Sequence, residues 1–222
     1  MSAILLDIEG TVSDKRFVTE HLFPFARERI TAFIAERRGE PEMGLVIGLM
    51  RQKLGRRDAN LDDIGAELER WIDEDRKEEP LKTLQGFIWA EGYESGALIS
   101  HIYEDVPPAI ERWERAGKRI AIFSSGSIGA QKLLFAHTAK GDLTPYLSGH
   151  FDLSTGPKME AASYMKIAKS LDLLPGEIHF YSDAPREVEA AVAAGMAATL
   201  VERDGPVSGY PDLRRITTFA GE

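Results

Sequence analysis

Residues 3–11 read AILLDIEGT. Four apolar residues are stopped by Asp7, and Glu9, Gly10 and Thr11 follow at once. A short apolar run closed by an acid and then a glycine predicts a buried strand over residues 3–8 that opens into a turn. One buried strand leaves its backbone groups without partners, so the rest of its sheet must lie elsewhere in the chain.

That sheet is legible only after residue 100. KRIAIFS at 118–124 and EIHFYS at 177–182 predict a second and a third strand. ATLVE at 198–202 predicts a fourth, and ITTF at 216–219 a fifth. Helical spacing fills the gaps at 106–117, 127–137, 158–171 and 185–195. Strands alternating with helices predict βαβ units and a parallel sheet. Between residues 15 and 100 there is no strand pattern, and helical periodicity runs through 17–37, 41–55, 61–76 and 80–93. The expected architecture is therefore α/β. Residues 1–14 and 101–222 form a parallel-sheet core, and residues 15–100 form an inserted α-helical cap. A length of 222 residues, long for one domain and short for two, agrees with this.

Composition narrows the function classes. Lys and Arg total 27 against 36 Asp and Glu, a formal charge of −9. Such a surface is a poor match for a polyphosphate backbone, so no nucleic-acid partner is expected. Cysteine is absent, which removes thiolate nucleophiles, disulfides and Cys-held metals. No apolar stretch near the start has the length of a secretory or membrane segment, so a cytoplasmic protein without membrane association is expected. No long heptad pattern calls for assembly, and a monomer is the default expectation.

In open parallel sheets, ligands bind beyond the carboxyl ends of the strands. The first strand delivers Asp7 and Glu9 there. The second delivers Ser124 and Ser125, followed by Gly126 and Ser127, and the third delivers Ser182 and Asp183, followed by Glu187. Lys158 precedes the third strand at the start of an expected helix. Acids, hydroxyls and one lysine on one edge suit phosphoryl transfer through an enzyme carboxylate. Asp7 and Asp183 are candidate oxygen ligands for Mg²⁺. Asp7 is also a candidate nucleophile, with Lys158 and the serines stabilising transferred charge. Glu9, two residues on from Asp7, is placed to protonate a leaving oxygen and later activate water. Plainer readings exist: Asp183 as a cap for the helix begun by Pro185, and Glu187 as a first-turn helix acid. The histidines at 21, 101, 137, 150 and 179 lack metal-ligand spacing and read as structural. Phe87, Trp89 and Tyr93 read as core of the helical insertion.

These motifs resemble those of the haloacid dehalogenase superfamily of phosphatases: DIEGT at 7–11, SSGS at 124–127, Lys158 and SDAPRE at 182–187. The resemblance narrows to the enolase-phosphatases of methionine salvage. It rests on Glu9 within DIEGT, HLFPFAR at 21–27, DRK at 75–77, LQGFIW at 84–89, SSGSIGAQKLLF at 124–135, GDLTPYLSGHFD at 141–152 and KMEAASY at 158–164. It implies a Rossmann-like core with a helical cap. It implies conversion of 2,3-diketo-5-methylthiopentyl 1-phosphate, through an enol phosphate, to an acireductone and phosphate. By motif position it implies Asp7, Glu9 and Asp183 around Mg²⁺, with Asp7 as nucleophile. Ser124, Ser125 and Lys158 would hold the phosphate and the diketo head. TVSDKR at 11–16 departs from the family's usual Thr-rich stretch, and the segment after Val201 is short. Two alternatives remain at this point. One is a phosphatase of the same scaffold acting on a sugar phosphate or phosphoglycolate. The other is a phospho-accepting switch domain, though that needs no long helical insertion.

Overall fold

The computed structural model describes all residues 1–222. The chain divides into two units, Met1–Lys15 with Ile99–Glu222, and Arg16–Leu98.

β1 (Ala3–Leu6) opens the chain and all four of its residues are buried. The helical insertion follows it, beginning with α1 (Lys15–Phe17), a π turn (Val18–Leu22) and α2 (Phe23–Arg27). The single helix expected over 17–37 is thus divided. Pro24 has no amide to return to the preceding turn, and the winding widens just before it. The insertion continues with α3 (Ile30–Arg37), α4 (Pro41–Leu54), α5 (Leu61–Asp73) and α6 (Glu79–Glu94). Pro41 starts α4, and Gly55, at φ +65°, ends it in the left-handed region that glycine enters most readily. Asn60 caps α5 by accepting the Asp63 amide at 2.8 Å, and Asp63 returns a bond to Asn60. The apolar faces of these helices share one core that includes Ile30, Ile34, Met50, Ile64, Leu68 and Leu84. Tyr93 is buried as expected, and Trp89 packs against the core while its Nε1 donates to the Leu22 carbonyl at 2.8 Å. Phe87 is not core: it is 39% exposed, on the outer side of α6.

The rest of the chain builds the sheet. In order come α7 (Val106–Arg115), β2 (Arg119–Phe123), α8 (Ile128–Ala136) and β3 (Leu147–Phe151). They are followed by α9 (Ala161–Ser170), β4 (Ile178–Ser182), α10 (Pro185–Ala193), β5 (Ala197–Val201) and β6 (Arg215–Ile216). All six strands are parallel, in the order β3-β2-β1-β4-β5-β6. Alternation sorts the side chains between two covered faces. Ile4, Leu6, Ile120 and Ile122 meet Ile110 and Trp113, while Leu5, Ala121 and Phe123 meet Tyr164 and Ile167.

Within the sheet unit, three further features depart from the sequence reading. β3 is a strand where none was expected. The helix expected from residue 158 begins at Ala161, so Lys158 lies in the turn before it. The last strand is only Arg215–Ile216, and Thr217 onward is loop.

His179 lies buried on β4, stacked 4.3 Å from Tyr181, with Nε2 2.8 Å from the Thr199 hydroxyl. Burial, with Arg214 nearby, depresses its pKa from 6.5 to about 4. The folded state therefore favours the neutral ring. Stability from this site is complete above pH 6.5 and is lost as pH falls toward 4, by at most about 3 kcal/mol. In a His179→Asn variant the drop in Tm between pH 7 and pH 4.5 is expected to be shallower than in wild type; parallel curves would contradict this.

Candidate active site

Register levels the strand ends. Leu6 lies beside Ile122 of β2 and Tyr181 of β4, so Asp7 emerges next to Phe123 and Ser182. β1 is also where the strand order reverses direction, the place where doubly wound sheets open a crevice.

After Asp7 the chain turns tightly. The amides of Val12 and Ser13 donate to the Ile8 carbonyl at 2.9 and 3.0 Å, and the Gly10 amide donates to Ser13 at 2.7 Å. Gly10 has φ +74°, and a Cβ there would collide with the Asp183 carboxylate. This turn, rather than a continuing strand, brings Glu9 back to the same edge as Asp7.

Asp7 is 3% exposed. Its Oδ1 accepts from Lys158 Nζ at 2.6 Å and from the Ile8 amide at 2.8 Å. Ser182 Oγ lies 3.1 Å from Asp7 Oδ2 and 2.9 Å from Glu187 Oε2, and its one proton serves either. Lys158 Nζ also meets Glu187 Oε2 at 2.7 Å. An ammonium has three donors, and these two carboxylates leave one for a ligand. Fully buried Tyr164 holds the turn in place by donating its hydroxyl to the Lys158 carbonyl at 2.7 Å. Asp183 pairs with Lys15, and its amide donates to the Thr11 hydroxyl at 3.0 Å. It makes no capping bond to α10.

On the other side of β1, Ser124 Oγ donates to Glu9 Oε2 at 3.2 Å and accepts the Gly126 amide at the same distance. Ser127 caps α8 by accepting the Ala130 amide at 3.3 Å. Ser125, half-buried, lies two residues before the Ser127 cap, in the loop that leads into the positive end of α8. Gln131 fastens the loop from behind, donating to the Gly126 and Phe151 carbonyls at 3.0 and 2.8 Å.

Four carboxylates, Asp7, Glu9, Asp183 and Glu187, thus stand against two ammonium groups, Lys158 and Lys15. Burial, and after it Asp7, raises Glu9 above the usual carboxylate range. The same two causes push Glu187 up to about 7, outweighing the pull of Lys158. Burial also raises Asp183, against the opposing bond from Lys15. Lys158 is raised although burial alone would lower it, because Asp7 and Glu187 flank it. A buried surplus of negative charge made of hard oxygen donors fits a divalent cation such as Mg²⁺. No three acidic or histidine side chains gather into a cluster able to hold a metal ion.

The contacts of Lys15, Thr11 and Ser182 are not legible in the sequence. Ser182 and Thr11 stand inside quoted motifs, but nothing local signals which neighbour their hydroxyls meet. Lys15 carried no signal.

Comparison with known proteins gives this edge its context. The haloacid dehalogenase-like hydrolase family matches residues 1–195. An enolase-phosphatase of Sorangium cellulosum is 47% identical over 205 residues, 91% of this chain and 88% of that protein. The chain belongs to the enolase-phosphatases of the haloacid dehalogenase-like hydrolases. A further family member, from Azotobacter vinelandii, is 44% identical over 98% of this chain and 96% of its own length. The crystal structure of the UTR4 protein of Saccharomyces cerevisiae is similar over the whole chain, with 33% identity, a TM-score of 0.84 and 99% of that chain covered. These matches extend through Arg16–Leu98, so the helical insertion is shared with the enolase-phosphatases as well as the sheet.

Proposed function

We propose that the protein is an enolase-phosphatase of methionine salvage. It takes 2,3-diketo-5-methylthiopentyl 1-phosphate through the enol phosphate to the acireductone and inorganic phosphate. The single observation that carries the chemistry is Asp7, a buried carboxylate at the strand-order reversal, bonded through one oxygen to Lys158. The substrate is the one implied by the motif resemblance to the enolase-phosphatases, the name that the relatives carry.

In this reading an Asp7 carboxylate oxygen attacks phosphorus, and the bond from phosphorus to the C1 oxygen breaks. Glu9, whose pKa burial and the nearby Asp7 raise, gives a proton to the departing oxygen. The resulting carboxylate then takes a proton from water as the water oxygen attacks the aspartyl phosphate, which frees Asp7. Lys158, through its third donor, together with the Ser125 hydroxyl and the loop amides before α8, binds the phosphoryl oxygens. Ser124 keeps Glu9 turned toward this edge.

Asp7 and Asp183 are the residues proposed to hold Mg²⁺, with Glu9 contributing through either its carboxylate or its carbonyl. A bound Mg²⁺ supplies positive charge against the phosphoryl oxygens. Asp183→Asn is expected to raise the Mg²⁺ concentration for half-maximal activity by about tenfold or more, with activity recovering at high Mg²⁺. An unchanged Mg²⁺ dependence, by titration calorimetry and by activity, would contradict the ligand role.

The partner expected is a small phosphate ester. No helix is long and apolar enough to cross a membrane. A substrate panel tests the assignment. The diketo phosphate is expected to have the highest kcat/KM, above phosphoglycolate and sugar phosphates. Efficient phosphoglycolate turnover with none on the diketo phosphate would overturn it.

A further inference from the structure

Arg203 stands two residues beyond β5, with a side chain only 8% exposed. Its Nε donates to the Thr11 carbonyl at 3.1 Å. Its Nη1 donates to Asp105 Oδ2 at 2.8 Å and to the Thr217 carbonyl at 3.3 Å. The Tyr103 and Phe219 ring centroids lie 4.3 and 5.1 Å from its Cζ, so aromatic faces hold the guanidinium in place.

Asp105 completes the arrangement. It occupies the N-cap position of α7, where an aspartate ordinarily accepts a helix amide, yet its side chain caps nothing. Its Oδ2 instead accepts from Arg203, from the Thr218 hydroxyl at 2.7 Å and from the Phe219 amide at 2.6 Å. The start of α7, the exit from β5 and the C-terminal segment therefore meet at one carboxylate.

The other end of the guanidinium reaches the catalytic turn. Thr11 is held from two sides, its carbonyl by Arg203 and its hydroxyl by the Asp183 amide. Gly10 beside it is in contact range of the Asp183 carboxylate. Moving Thr11 would shift Glu9 and Asp183 relative to each other.

We propose that Arg203 is a positioning residue for phosphoryl transfer, fixing the Glu9–Gly10–Thr11 turn in register with Asp183. This rests on the phosphatase reading above. Stability alone does not call for arginine here, since its Nη2 is buried without a partner and a hydrophobic residue would avoid that loss. What only the planar fork supplies is a fixed link between Asp105 and the Thr11 carbonyl. A lysine has one ammonium on a flexible stem and cannot hold both in one geometry.

The test compares Arg203→Lys, Arg203→Met and Thr218→Val with wild type, measuring kcat, KM and Tm at saturating Mg²⁺. Thr218→Val removes one bond to Asp105 and leaves the Arg203–Thr11 contact, so it reports stability loss alone. Arg203→Lys is expected to fold with Tm near that of Thr218→Val. Its kcat should fall about tenfold or more, with KM changed less than about threefold, because small displacements of reacting groups act on the chemical step. Thr218→Val should keep wild-type kcat. Wild-type kcat in Arg203→Lys overturns the proposal, as does a kcat loss in Thr218→Val equal to that in Arg203→Lys. If Arg203→Met does not fold, Arg203→Lys decides the matter. A wild type silent on the diketo phosphate but active on p-nitrophenyl phosphate overturns the substrate reading alone, and the same comparison then runs on the aryl ester.

Discussion

Asp7→Asn is expected to abolish phosphate release, by at least about 10³-fold in kcat, while leaving the protein folded. The amide is isosteric. Its oxygen still accepts from Lys158 and from the Ile8 amide, the two bonds that Asp7 Oδ1 now makes. What disappears is the nucleophilic carboxylate and one negative charge. Asp7 is among the causes that raise Glu9, Asp183 and Glu187, so its loss relieves repulsion within a buried group of acids. Tm is therefore expected to hold or rise as activity vanishes. Acid-quench labelling with ³²P-substrate should find phosphoprotein in wild type and none in the variant. Substantial turnover by a folded Asp7→Asn protein would remove Asp7 from the nucleophile role.

Lys158→Met is expected to cost both activity and stability. The ammonium is 9% exposed and lies 2.6 and 2.7 Å from two carboxylate oxygens. Removing one partner of a buried charge pair leaves the other uncompensated, a loss of about 3–5 kcal/mol at neutral pH. Glu187 is already pushed up to about 7, and without Lys158 it rises further. A carboxyl whose folded pKa lies above its unfolded value destabilises the fold at pH above both and ceases to do so as pH falls below them. The Tm deficit of Lys158→Met should therefore be largest near pH 8 and shrink toward pH 5, the reverse of ordinary acid unfolding. The loss in kcat, about 10²-fold or more, should persist at every pH because the phosphoryl group has lost its cation. A Tm deficit independent of pH would contradict the shared Asp7–Lys158–Glu187 arrangement.

The parts that could be read from sequence were those with local signals. β1, β2, β4 and β5 are apolar runs closed by polar residues, and each was visible as such. The ends of the first three carry Asp7, Ser124 and Asp183, so the chemistry of the edge followed from strand order alone. β3 carries no signal in the sequence, because LSGHF has no apolar run or clean alternation. It sits at the edge of the sheet, only partly buried, and is a strand through its pairing with β2. KMEAASY continues the apolar spacing of α9, and that spacing predicts helix at Lys158. The chain instead turns there, with Ser163 Oγ donating to the Pro157 carbonyl at 2.7 Å and Tyr164 bonding the Lys158 carbonyl. Arg203 and Asp105 left no trace at all. Arg203 lies in the loop after β5 and Asp105 just before α7, and their pairing spans 98 residues of chain. Long-range polar contacts of this kind have no periodicity to announce them.

The central claim is that one active site performs enolisation and then phosphate transfer through Asp7. Rapid mixing of wild-type protein with a limiting amount of the diketo phosphate tests it, with enol absorbance and free phosphate followed together, in Mg²⁺ and in chelator. In Mg²⁺ the enol signal should appear first and phosphate should follow, reaching one equivalent per substrate; in chelator no phosphate should be released. Phosphate appearing ahead of the enol, or at the same rate in chelator, would contradict the account.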